Sequence, residues 1–65
     1  MMPQPKVGKH YVLTHKRTGV NLFRGYVQIV QYGYIGDKKI FRIRQNDKSW
    51  YFWDDYEYEY IGDLA

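Results

Sequence analysis

Few residues in this chain have side chains suited to catalysis or metal binding. Two histidines, His10 and His15, one serine, Ser49, and no cysteine are present. The histidines are five residues apart, so on an extended strand they point to opposite faces and cannot together chelate one metal ion. Ser49 falls in a predicted turn. Asp54-Asp55 resembles a carboxylate pair, but adjacent side chains diverge, and acidic residues suit a corner through local hydrogen bonds. Gly33 and Gly36 are isolated, with no helix following, so they do not form a phosphate-binding loop. A barrel of 65 residues rarely encloses a catalytic cleft. The expectation is a protein without enzymatic activity, cofactor or metal.

Charge and aromatic rings remain. The net charge of +3 conceals a division. Residues 1–48 hold all ten Lys and Arg against Asp37 and Asp47, a balance of +8. Residues 49–65 hold Asp54, Asp55, Glu57, Glu59 and Asp63 with no base, a balance of −5. The plain expectation is that the acidic end pairs with basic side chains across neighbouring strands. The alternative is a basic surface left open for an anionic partner.

The elements that must carry these residues are strands. Val, Ile, Thr, Tyr, Phe and Trp number 25, whereas Ala, Leu and Met number 6. Branched and aromatic residues favour a pleated sheet, and no window shows helical spacing after a capping signal. One all-β domain follows, with about 60% of its unfolded surface buried at this size. Large rings must make its core, since there is no cysteine to staple it. No apolar run approaches the roughly 18 residues of a membrane span. The opening Met-Met-Pro-Gln-Pro-Lys lacks an apolar h-region, so a signal peptide is not expected and the location is expected to be cytoplasmic.

Turn residues predict five strands: 9–14, 23–32, 39–45, 49–53 and 57–61, with residues 1–6 flexible, 7–62 the domain and 63–65 its end. Asn46-Asp47-Lys48 is read as the last hairpin turn. Tyr32–Asp37 and Tyr58–Asp63 match at five of six positions, which reads as a strand entering a Gly-Asp turn, used twice.

Alternation assigns the faces. Phe23, Gly25, Val27 and Ile29 share one side of the second strand, and Arg24, Tyr26, Gln28 and Val30 the other. Phe41 and Ile43 oppose Arg42 and Arg44. The length of the last hairpin then sets the fourth strand. An even loop puts Trp50 and Phe52 inside and Tyr51 and Trp53 outside; a three-residue bulged loop reverses this. With the even loop, which is the expectation, one outer face carries Arg24, Tyr26, Gln28, Arg42, Arg44, Tyr51 and Trp53. Lys38 and Lys39, with Lys16 and Arg17, extend its basic rim.

Val7-Gly8-Lys9, Phe23-Arg24-Gly25-Tyr26-Val27, Ile40-Phe41-Arg42-Ile43-Arg44 and Trp53-Asp54-Asp55-Tyr56-Glu57-Tyr58 follow one another in an order that resembles the SH3-like small barrel, the group holding SH3, Tudor and KOW-type modules. The resemblance spans residues 7 to 61. It implies a five-stranded barrel and a binding role. The Ala-Leu-Tyr-Asp-Tyr signature of peptide-binding SH3 domains is missing, which argues against recognition of proline-rich peptides. A five-stranded OB barrel competes but usually has longer strands and a helix. Tudor-like barrels carry a methyl-lysine cage, for which Tyr51, Trp53 and Tyr56 with Asp54 or Asp55 are the available parts.

Arginine interleaved with exposed rings suits single-stranded nucleic acid: guanidinium groups neutralise phosphates and rings stack on bases. The same composition suits a protein interface, with the chain as a small bacterial or phage regulator or inhibitor of a larger protein. Nucleic acid is the first expectation at Arg24, Tyr26, Lys38, Lys39, Arg42, Arg44, Tyr51 and Trp53, and a protein partner the second.

Overall fold

The structure is a computed structural model that describes residues 4–63, apart from the side chain of Arg24. Residues 1–3 of the segment expected to be flexible, and 64–65 of the expected end, lie outside the described residues. The chain forms β1 (His10–His15), β2 (Asn21–Ile35), β3 (Lys38–Ile43), β4 (Asn46–Phe52), a 3-10 turn (Trp53–Asp55) and β5 (Tyr56–Gly62). One antiparallel sheet in the order β4-β3-β2-β1-β5 curls into a half-barrel. The all-β expectation is met.

β2 is the spine of the sheet. Its first part pairs with β1 and its second with β3. The expected break at Gly33 does not occur: Gly33 stands opposite Ile40 and the strand continues to Ile35. A register shift between Ile29 and Gln31 bends it, as an added residue does by increasing local twist. The shift also reverses the alternation, so Tyr32 packs against the core. The two similar hexapeptides both run from strand into a glycine at positive φ, Gly36 at 61° and Gly62 at 90°.

The core is small and aromatic. Leu13, Val27, Ile29, Phe41 and Ile43 are fully enclosed, with Trp53, Tyr11 and Tyr56 around them. Val27, Ile29, Phe41 and Ile43 face inward as alternation requires. Phe23 does not. Its φ of 55° turns the strand locally, and the ring is half exposed.

The parity expected of an even loop is overturned beyond the last hairpin, although the turn itself is two residues long. The turn is Arg44-Gln45, so Ile43 meets Asn46, but two residues back Phe41 meets Tyr51. Two steps along β3 therefore span five along β4. The surplus of three is odd and reverses every side chain beyond it. Tyr51 stacks on Phe41 at 5.5 Å, and Trp53 is 1% exposed. Trp50 and Phe52 face outward at 44% and 41%. Two hydrogen bonds hold the irregular stretch: an Arg42 Nη donates to the Asp47 carbonyl at 3.0 Å, and the Asn46 side-chain amide donates to the Tyr51 hydroxyl at 2.9 Å. A bulged strand can persist only if its freed backbone groups find such partners.

The segment before β1 is packed where it is described. Pro5 is buried. The Gln4 amide donates to the Tyr34 hydroxyl and accepts from that of Tyr32, at 3.2 and 2.9 Å. The Lys6 backbone N–H donates to the Tyr11 hydroxyl at 3.0 Å.

Candidate functional site

The outer, convex face of β2, β3 and β4 carries basic groups and rings together, but with a different pair of rings from the expected one. Arg42 lies on the opposite side of β3 from Phe41 and Ile43. Its guanidinium covers the Trp50 ring at 5.1 Å from the centroid and also donates to the Gln31 side chain. The Arg42 Nε is buried, so this side chain is fixed in the surface rather than free to swing. One step away, Arg44 is exposed, with its backbone N–H on the Gln28 carbonyl at 2.9 Å and a guanidinium N–H on the Gln28 side chain at 3.3 Å. Tyr26 is exposed further along β2 and takes the edge of His10 at 6.0 Å.

Of the expected site residues, Tyr26, Arg42 and Arg44 are on this face, and the side chain of Arg24 lies outside what is described. Tyr51 and Trp53 are corrections. Both belong to the core, because the hairpin surplus turned them inward, and Trp50 and Phe52 take their places. Sequence alternation offered this parity as the three-residue alternative, but nothing in composition selected it.

Lys38 and Lys39 begin β3 at the far end of the face. With Phe52 they line a shallow recess of about 190 Å³ that also contains Asp54 and Asp55. The lysine end is thus of mixed charge, and the concentrated positive charge is at Arg42 and Arg44. Lys16 and Arg17 lie in the β1–β2 loop, where the Lys16 backbone N–H bonds the Asp55 carbonyl at 2.8 Å, not beside Arg42.

The acidic end meets bases, as the plain expectation had it, at its two extremes: Asp54 and Asp55 share the recess with Lys38 and Lys39, and Asp63 meets Lys9, whereas the two glutamates between them stand elsewhere. β5 pairs with β1, where Glu57 faces Thr14 and Glu59 faces Val12, and the sheet order separates β5 from β3 and β4. Cross-strand pairing puts no base beside either glutamate. An ion pair forms between Lys9 and Asp63 at 2.8 Å. It holds the Asp63 carboxyl below its ordinary value and the Lys9 ammonium above its own.

The remaining candidates have structural roles. His10 Nδ1 is 3.1 Å from the Gly62 carbonyl, and His15 Nδ1 accepts the Arg17 backbone N–H at 3.2 Å. Among the described residues no group of three or more His, Asp or Glu is placed to hold a metal ion. Tyr51, Trp53 and Tyr56 do not form an open cage: they pack on Phe41 at 5.5, 5.6 and 5.9 Å, as core rings. Burial raises the Tyr56 and Tyr11 phenols above their ordinary value. No helix among the described residues is long and apolar enough to cross a membrane.

Comparison with protein-family models, with curated proteins and with solved structures finds no match to this chain.

Proposed function

We propose that this chain is an SH3-like barrel that binds nucleic acid without catalysis, through the convex face of β2, β3 and β4. The fold part of the reading is supported by the strand order β4-β3-β2-β1-β5, with one long bent strand shared by both halves and a 3-10 turn before the last strand. The observation that carries the function is the Arg42 guanidinium laid over the exposed Trp50 ring, with Arg44 beside it and Phe52 beyond. A flat ring gives a base something to stack on, at about 1–3 kcal/mol per base. The exposed Arg44 guanidinium meets phosphates, while Arg42, tied to Asp47 and Gln31, adds positive charge to the face and holds the Trp50 ring.

The same exposed Trp50 and Phe52, with arginine between, also have the composition of a protein hot spot. Two variants separate the readings. Replacing Arg44 and Lys38 by glutamine removes charge at exposed positions outside the core. If nucleic acid is the ligand, losing two phosphate contacts lowers the salt slope of single-strand binding by about 1.4. Trp50→Ala weakens either kind of complex. A partner whose affinity drops with Trp50→Ala but ignores both salt and the glutamine pair is a protein, and nucleic acid is then excluded.

A further inference from the structure

Gly33 stands in the interior of β2, where a glycine is unfavourable. Ordering it costs more backbone freedom than ordering any other residue, and it gives its neighbours no side chain to pack on. Gly8, Gly19, Gly36 and Gly62 sit at positive φ, where glycine is favoured, and Gly25 follows the bend at Phe23. Neither reason applies to Gly33. Its φ is not positive, its pairing with Ile40 lies in an unbroken register from Gln31 to Ile35, and a Cβ added to it would meet nothing within 4 Å. The fold has room for a side chain here, and the sequence leaves the place bare. A strand glycine of this kind marks a position where another group approaches the backbone closely.

The bare place is on the convex face. Tyr32 packs against the core, so Gly33 beside it faces outward, and residues directly opposite on antiparallel strands share a face. The register therefore sets Gly33, Ile40 and Phe52 in one row across β2, β3 and β4. On one side of the row lie Gln31 and Arg42, with Trp50 under the Arg42 guanidinium; on the other lie Ile35 and Lys38. Ile40 is 7% exposed although it stands outside the core cluster, and Phe52 and Trp50 present open rings. The Gly33 backbone and Ile40 thus make a shallow apolar floor with a ring at one end and a cation on either side.

We infer that Gly33 is the seat of one unpaired base, whose flat face lies on the Gly33 backbone and the Ile40 side chain, and that the convex face therefore takes single-stranded nucleic acid in preference to duplex. The inference rests on the nucleic-acid reading of that face. A floor without a Cβ suits a planar group better than the knob of an apolar side chain, and the flanking cations suit the phosphates on either side of a base. Duplex keeps its base faces stacked on neighbouring pairs, so it cannot fill the seat without coming apart. Trp50 and Phe52, two residues apart on β4, offer rings to further bases at a spacing of about 7 Å.

The test uses the full chain with Gly33→Val and Gly33→Ala, titrated with a short oligonucleotide as a single strand and as a duplex, while urea unfolding records stability. Both variants keep the unfolding midpoint or raise it, because the added side chain meets no neighbour and glycine is the least favourable residue in a strand. Gly33→Val weakens single-strand binding about fivefold or more, the worth of one base contact, and Gly33→Ala weakens it less. In the unsubstituted complex the Ile40 methyl resonances move upfield, as methyl groups do beneath the face of an aromatic ring. A lowered midpoint in both variants would make the glycine structural and overturn the inference. Unchanged affinity of Gly33→Val, with Trp50→Ala still weakening the complex, overturns it and leaves the convex-face reading standing, as does duplex binding as tight as single-strand binding. If the unsubstituted chain binds neither form at low salt, or binds a protein on this face instead, the convex-face reading has itself failed and the inference falls with it.

Discussion

Trp50 and Trp53 are three residues apart and lie on opposite sides of the sheet. Trp50 is exposed beneath the Arg42 guanidinium, whereas Trp53 is enclosed, edge-on to Phe41 at 5.6 Å. One tryptophan therefore reports on the proposed binding face and the other on the core. An odd separation along extended chain puts two residues on opposite faces, but which goes inside depends on the hairpin before them.

The two tryptophans should differ sharply in what they contribute to stability. Trp53→Ala empties a large site in a thin core and is expected to cost about 3–5 kcal/mol. A chain of this size has only a few kcal/mol to lose, so that variant is expected to be largely unfolded at room temperature. Trp50→Ala removes an exposed ring and is expected to cost about 1 kcal/mol or less. Urea unfolding of both variants measures this. Equal losses would place both rings in the core and contradict the hairpin register.

The irregular hairpin depends on Arg42. Its bond to the Asp47 carbonyl and its cover of Trp50 hold the three surplus residues of β4 in place. Arg42→Ala is expected to lose about 1–2 kcal/mol, and Arg42→Lys to recover little, because an ammonium cannot lie flat on the ring and bond sideways as well. Amide exchange should quicken from Asn46 to Tyr51 and stay unchanged in β1 and β5. Uniform quickening would mean that Arg42 does not act locally.

The pH dependence follows from two kinds of shift. Asp63 titrates below its ordinary 3.8 and Lys9 above its ordinary 10.5, each chiefly through the hydrogen bond they share. The carboxylate's lowered value means its contribution is present above the unfolded value and is lost as pH falls through the folded one. The ammonium's raised value means its contribution is present below 10.5 and is lost as pH rises through the folded one. The pair lies at the solvent-facing surface, so its effect is small and screened by salt. Asp63→Asn should flatten the acid limb of the stability profile. A carboxyl titration of Asp63 by NMR that stays at 3.8 in low salt would contradict the pairing.

At alkaline pH, Tyr11 and Tyr56 should ionise above the ordinary phenol value. Burial raises both from the ordinary 10.0, and for Tyr11 the hydrogen bond from Lys6 offsets part of the rise. A phenol raised in the folded state favours folding below 10.0 and ceases to do so as pH rises through the folded value. Absorbance titration should show a late phase from this pair, which titrates as the fold opens. A single uniform phase would contradict the burial of these two rings.

Alternation alone was enough to place Val27, Ile29, Phe41 and Ile43 inside and Arg42 and Arg44 outside, because those residues lie on regular strand between bends. It failed beyond Arg44. Asn46-Asp47-Lys48 has the composition of a turn, yet it is bulged strand, and what holds it is a guanidinium reaching from β3 to the Asp47 carbonyl. Such a contact exists only after the strands have met. Phe23 was misread for a related reason, since a φ of 55° breaks the period that the reading assumes. The opening segment looked frayed because its anchors are tyrosine hydroxyls up to 30 residues away. The candidate site was thus half legible: its bases could be read, its rings could not.

The most direct test of the proposed function is an amide and indole NMR titration with a short single-stranded oligonucleotide, at low and at moderate salt. The account predicts saturable shifts at Tyr26, Gln28, Arg42, Arg44 and Phe52 and at the Trp50 indole, weakening steeply as salt rises. The Trp53 indole should stay still. No shifts at low salt, or shifts centred on Trp53 and insensitive to salt, would contradict a phosphate-binding convex face.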